Sequence, residues 1–194
     1  MESTMTRRHD RKSCSQAGFS LIEVMIAGAI IMIGLLAVLG LFGTALAATQ
    51  ASQLDEIAHA RAAQTLESIY TARQTSQFGF SAIDNTTAAS GLGKFTAGLV
   101  ALTDPGLDGL DGTTDDIAAA PIVLPGPDGK LGTSDDITVS LASFQRQITI
   151  SNVVNPLSGA LDPNLKQVIV TIQYPGANAQ VRIYSVQTLV SAFH

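Results

Sequence analysis

Apolar side chains run almost without interruption from Phe19 to Ala48, after which the pattern turns amphipathic. At 1.5 Å per residue a helix over that run would measure about 45 Å, and a bilayer core needs only roughly 20 such residues. Further on, Leu54, Ile57, Ala58, Ala62, Leu66, Ile69 and Tyr70 recur near helical spacing among Asp55, Glu56, Arg61, Glu67 and Arg73. This spacing predicts that the helix continues with one apolar stripe able to pack on a sheet. From Gln74 to Gly93 the composition shifts to Ser, Thr, Ala and Gly, with Asp84-Asn85-Thr86-Thr87 and Ser90-Gly91-Leu92-Gly93 as turn signals, which predicts a connecting loop.

The pattern then takes a period of two. Lys94 to Leu102 and Ile137 to Leu141 are candidate strands. Phe144 to Val153, Val168 to Tyr174 and Val181 to Val190 are rich in Val, Ile, Thr and Tyr. Asn155-Pro156, Gly159, Asp162-Pro163 and Pro175-Gly176 separate them, as in an antiparallel meander. Val168, Val170, Ile172 and Tyr174 fall on one face, suited to covering the helical stripe. The expected fold class is α+β, a long N-terminal hydrophobic helix on a C-terminal antiparallel sheet. The chain divides into a basic leader (1–18), a membrane-length helix (19–48), its amphipathic continuation (49–75), a loop (76–93) and a β domain (94–194).

Charge sharpens this division. Arg7, Arg8, Arg11 and Lys12 against Glu2 and Asp10 give the leader +2, and subtracting that from the overall −5 leaves −7 for the remainder. A basic flank before a hydrophobic span stays cytoplasmic, which puts the acidic part outside. An acidic domain is a poor partner for nucleic acid. The single cysteine, Cys14, lies in the leader, so a chain cut after it could form no disulfide. Between Lys12 and Asp55 the only charge is Glu23. In lipid a lone carboxylate costs on the order of 2.5 to 3.5 kcal/mol at a helix centre, so it needs a partner, and no cation lies within helical reach.

Gly18-Phe19-Ser20-Leu21-Ile22-Glu23-Val24 followed by a long apolar run resembles the N-terminal signature of type IV prepilins and of type II secretion pseudopilins. The resemblance implies a pilin-like fold. It also implies cleavage after Gly18 by a membrane-bound prepilin peptidase, and N-methylation of the new terminus, Phe19. Glu23 would then pair with the terminal amine of a neighbouring subunit during assembly, and cleavage would create the missing cation. The implied location is the bacterial inner membrane as a single-pass protein with a periplasmic C-terminal domain, then a pilus or pseudopilus of other pilin subunits. Ile33-Gly34-Leu35-Leu36 and Leu165-Lys166-Gln167-Val168-Ile169-Val170-Thr171 are most similar to the PilV-type minor-pilin branch. The absence of proline before Pro105, and of a C-terminal disulfide, sets the chain apart from major pilins.

A competing reading is a secreted calcium-binding or adhesive β domain released by signal peptidase after Ala47, since Ala45-Leu46-Ala47 has the A-x-A form. The apolar segment is too long for that reading, because such regions run about 7 to 15 residues.

Pro105-Gly106-Leu107-Asp108-Gly109-Leu110-Asp111-Gly112-Thr113-Thr114-Asp115-Asp116-Ile117 recurs as Pro125-Gly126-Pro127-Asp128-Gly129-Lys130-Leu131-Gly132-Thr133-Ser134-Asp135-Asp136-Ile137, within an acidic Asp/Gly stretch at 104–137. Such density of identity marks a duplicated turn unit, with glycines at positive φ and aspartates bonding nearby amides. Asp108, Asp111, Asp115, Asp116, Asp128, Asp135 and Asp136 could supply oxygen ligands to calcium, although the spacing is not that of an EF-hand. The alternative is a pair of solvated turns. His59 on the amphipathic segment reads as a surface residue, and Asn85-Thr86-Thr87 as a chance N-x-[ST] match. With no G-x-S-x-G, phosphate loop or H-E-x-x-H, and with Asp115 and Asp116 expected in wet turns, the chain reads as a structural protein rather than an enzyme.

Overall fold

The structure is a computed structural model that describes residues 18–176 and 180–193. The leader features, Arg7, Arg8, Arg11, Lys12 and Cys14 among them, lie outside the described residues. The chain forms two compact units, Met1–Leu46 and Ala47–His194.

Helix α1 spans Leu21–Gln74. No proline interrupts this stretch, Glu23 stands in its first turn and Arg73 in its last, each complementing the end of the helix dipole it sits beside. The helix stops where Ser76 turns left-handed at φ 56° and the Gln77 amide reaches back to the Ala72 carbonyl at 3.0 Å. In the N-terminal unit every described residue is exposed, and the helix there is long and apolar enough to cross a membrane.

In the C-terminal unit the amphipathic half of α1 buries Ile57, Ala58, Ala62, Thr65, Ile69 and Ala72. Facing strands are β1 (Leu99–Ala101), β6 (Gln145–Val154), β7 (Leu161–Pro175) and β8 (Val181–Ser191), in the sheet order β1-β6-β7-β8 with every pair antiparallel. Val168, Val170, Ile172 and Tyr174 are buried together in the core with Phe144, Ile148 and the helical stripe, as the alternation predicts. A stacked Phe144–Tyr174 ring pair supplies much of its aromatic content. The α+β layout follows from the two periodicities.

Three local expectations are corrected. The strand expected over Lys94–Leu102 narrows to Leu99–Ala101, because Phe95 is buried against the loop and Gly98 turns at φ 86°. Asp162-Pro163 does not separate strands but lies inside β7, beside the register shift at Asn152/Val154, where no ladder bond is asked of the proline nitrogen. The loop after α1 is not a bare connector. It contains a short 3-10 turn, Phe80–Ala82, and wholly buries Ile83. Its Asn85 carboxamide donates to the Ile148 carbonyl at 2.8 Å and accepts from the Ile150 amide at 3.0 Å, closing the outer edge of β6 beyond the reach of β1. That amide is thereby committed to backbone, which disposes of the N-x-[ST] match.

Between β1 and β6 lie two small antiparallel ladders, of which the alternation revealed only the strand at Ile137–Val139, shorter than the expected Ile137 to Leu141. Strands β2 (Thr103–Asp104) and β3 (Ile117–Ala118) flank the first acidic repeat, and β4 (Ile122–Leu124) and β5 (Ile137–Val139) flank the second.

Candidate functional sites

The N-terminal site is small. Gly18, Phe19 and Ser20 precede the first turn of α1, and Phe19 is 82% exposed. The Glu23 and Val24 amides both bond the Ser20 carbonyl, at 3.0 and 3.3 Å, so the serine starts the helix and Glu23 occupies its first turn. A carboxylate there meets free backbone N–H groups and the positive end of the helix dipole. The Gly18–Phe19 bond lies outside the helix, which begins at Leu21.

The acidic repeat is built twice on one plan. In the first copy the Asp108 amide donates to Asp115 Oδ2 at 3.2 Å, the Leu110 amide to Asp108 Oδ1 at 2.9 Å, and the Gly112 amide to Asp116 Oδ2 at 2.7 Å. In the second, the Asp128 amide donates to Asp135 Oδ2 at 3.2 Å, the Lys130 amide to Asp128 Oδ1 at 2.8 Å, and the Gly132 amide to Asp136 Oδ2 at 2.7 Å. Gly109 and Gly129 sit at φ 71° and 69°, Gly112 and Gly132 at 87° and 86°, values that L side chains adopt at a cost. The Thr113 and Thr133 hydroxyls donate to Asp115 and Asp135, and these bonds with the Asp108 and Asp128 amides hold both carboxyls below the usual aspartate range.

The copies differ in what lies against them. In the first, Arg146 from β6 enters the turn, donating to Asp111 Oδ1 at 3.1 Å, Asp116 Oδ2 at 2.9 Å and Thr103 Oγ1 at 2.7 Å. The side chains of Arg146, Asp111 and Asp116 are 2%, 2% and 4% exposed. Two carboxylates sharing one guanidinium leave this set with a net negative charge out of water. Burial accordingly pushes the Asp111 carboxyl above its ordinary value, against the downward pull of Arg146. Alongside, Arg61 of α1 bonds Asp104 at 2.8 Å, tying the helix to β2. Among the described residues no cation reaches Asp136 in the second copy, and it accepts only from Gly132 and Thr133 of its own turn.

The expectation of wet turns thus fails for Asp116, which is buried by an arginine, and holds for the exposed Asp115 and for the second copy. Of the residues considered for calcium, Asp111 and Asp116 are engaged by Arg146, whereas Asp108, Asp115, Asp128, Asp135 and Asp136 bond their own turns. Among the described residues no group of three or more acidic, histidine or cysteine side chains is gathered to hold a metal ion. His59 is exposed, its ring 5.1 Å from that of Tyr184.

Sequence reasoning passed over Arg146 and Lys166, which anchors the loop by donating to the Ile83 carbonyl at 2.7 Å and to Asp84 at 3.0 Å. Both had a signal. Each is a cation at an inward-facing position of an alternating strand, Arg146 between Phe144 and Ile148, Lys166 two residues before Val168. A charge in that register must find a counter-ion inside the fold.

Residues 14–39 match the family described as the prokaryotic N-terminal methylation motif. Comparison with curated proteins and with solved structures yields no match.

Proposed function

Starting from the methylation motif, which supports a type IV prepilin or pseudopilin family, we propose that the chain is a minor pilin-like structural subunit. A prepilin peptidase cuts it after Gly18 and methylates Phe19. The mature subunit then joins a type IV pilus or type II secretion pseudopilus through Glu23 and the amine of a neighbouring subunit. The observation that carries this reading is the motif at 14–39 joined to an apolar run, Phe19 to Ala48, whose only charge is the Glu23 carboxylate. Before assembly the subunit is held in the bacterial inner membrane, its acidic C-terminal unit on the periplasmic side, in keeping with the basic leader.

Glu23 has a defined task in this scheme. In a water-excluded environment a carboxylate gains most from a cation delivered directly to it, and the amine freed at Phe19 exists only after cleavage. Unprocessed chains therefore lack the charge that a neighbour's glutamate would select. Mass spectrometry of the mature protein from its native host tests the proposal. A terminus at methylated Phe19 supports it, and a terminus at Ala48 replaces it with a domain released by signal peptidase. Calcium at the acidic repeat is a separate proposal, confined to Asp128, Asp135 and Asp136 of the more exposed second copy. Titration of the intact chain with millimolar calcium tests it, and the absence of heat or of a melting shift removes it.

A further inference from the structure

The four-stranded sheet has two edges, and they are finished differently. At one, β1 covers Gln145 to Gln147 of β6 and the Asn85 carboxamide covers Ile148 and Ile150. At the other edge lies β8. Its ladder with β7 is flanked by the bond from the Gly176 amide to the Gln180 carbonyl and by that from the Ala192 amide to the Asn164 carbonyl. In an antiparallel pair, hydrogen-bonding direction alternates residue by residue. The even-numbered residues of β8 therefore bond β7, and the odd-numbered ones direct N–H and C=O outward. Tyr70 of α1 donates to the Leu189 carbonyl at 3.0 Å, which closes the far end of this edge. The outward groups of Val181, Ile183, Ser185 and Gln187 have no hydrogen-bond partner among the described residues.

Natural sheets protect such an edge with proline, a bulge, a covering loop or charge. Here β8 has no proline, its pairing with β7 shows no register shift, and its one charge, Arg182, is drawn into an ion pair with Asp55 at 2.8 Å. Val181 and Ile183 are 68% and 62% exposed. On the outer face the edge continues into Ser185, Thr171 and Gln147 across three strands. Depletion of charge in a unit that carries seven Lys and Arg against thirteen Asp and Glu from residue 47 on is the composition of an interface centre.

We propose that the β8 edge from Val181 to Gln187 receives an extended segment of another polypeptide as a fifth strand. The partner is a strand with neutral or basic ends whose aliphatic side chains lie over Val181 and Ile183. Backbone bonds to the four outward residues supply the attachment. A second copy of this chain is disfavoured by the unit's net −6, which repels its own kind. The inference rests on the C-terminal unit alone and stands whether or not the N-terminal helix enters a filament.

The test is residue-resolved amide exchange on the full chain in detergent, with the synthetic peptide acetyl-KVTVTVK-amide as probe. In the free protein the amides of Ile183, Ser185 and Gln187 exchange fast while those of Tyr184 and Val186 are slow. Millimolar peptide is expected to slow the odd-numbered set at least tenfold. Ser185→Pro, which deletes an outward N–H and no ladder bond, abolishes that slowing, as does Ile183→Lys, which alters only a side chain. Unchanged exchange at millimolar peptide overturns the proposal, as does protection that survives both variants. Protection that appears without peptide as protein concentration rises overturns it in favour of a second copy.

Discussion

In the first acidic turn Asp111 and Asp116 close on Arg146, out of contact with water, whereas in the second the residue at the place of Asp111 is Leu131, 64% exposed, and Asp136 bonds only its own turn. The backbone is the same in both, down to the φ angles of the paired glycines. The conformation of the unit therefore comes from its internal aspartate-to-amide bonds, which need nothing from the rest of the fold. Docking comes from a few side chains. Thr103 and Asp111, which bond Arg146, correspond to Val123 and Leu131 in the second copy. At Gly112 an added Cβ would run into the Ile148 side chain, while at Gly132 it would meet open space. One copy has become part of the core, and the other has kept the turn without the attachment.

The largest expected effect breaks the attachment from the core side. Arg146→Met leaves two carboxylates buried with no cation, and losing one partner of a buried ion pair costs roughly 3 to 5 kcal/mol. Urea denaturation of the full chain in detergent should show a loss of that order. A loss below about 1 kcal/mol would mean that water reaches the site and that the two turns are energetically alike. Asp111→Leu makes the first turn resemble the second at its most telling position. It leaves Arg146 with Asp116 and Thr103, its Nη1 reaching only Thr65 Oγ1 at 3.5 Å and its Nε already without a partner among the described residues, for an expected loss of about 1 to 3 kcal/mol.

Acid titration sharpens the same contrast, because the two turns hold aspartates shifted in opposite directions. Asp111 has its folded pKa raised above 3.8 by burial. Its folded form keeps a proton that the unfolded chain has already lost, so its contribution is present at low pH and disappears as pH rises through the raised value. Asp135, like Asp115, has its folded pKa lowered by hydrogen bonds, so its contribution is present above 3.8 and is lost as pH falls through the lowered value. The stability of the native chain minus that of Asp111→Asn should therefore decline as pH increases above 3.8, with a slope no steeper than about 1.4 kcal/mol per pH unit. The corresponding difference for Asp135→Asn should increase with pH, below 3.8. Two differences of the same sign would show that burial does not separate the turns.

Much of the molecule was legible before any coordinates. The thirty-residue apolar run, the stripe from Leu54 to Tyr70 and the alternation of Val168 to Tyr174 each declare a period, and period fixes which face is buried. The thirteen-residue duplication was equally plain. What could not be read was that one copy would dock and the other would not, since that depends on Arg146, which stands thirty residues from Asp116 in the chain and meets it only through the fold. Of the short ladders only β5 was legible, within Ile137 to Leu141, and β2, β3 and β4 were hidden for a related reason. Two or three residues carry no measurable alternation, and the turns, not the strands, hold them in place.

The smallest effect is the reciprocal exchange. Leu131→Asp gives the second turn the carboxylate that the first uses, but neither the threonine at position 123 nor an arginine facing it. A new charge on an exposed position, with only the solvated Lys130 beside it, changes stability by no more than about 0.5 kcal/mol, by surface precedent. Measured beside Asp111→Leu, it makes the comparison quantitative: the same pair of residues is exchanged within the same backbone, and only the surroundings differ. A loss of more than about 1 kcal/mol from Leu131→Asp would show that Leu131 packs against something in the folded chain. A comparable gain would show that a cation does reach the second turn. Either outcome would end the view that the second copy is a turn sufficient to itself.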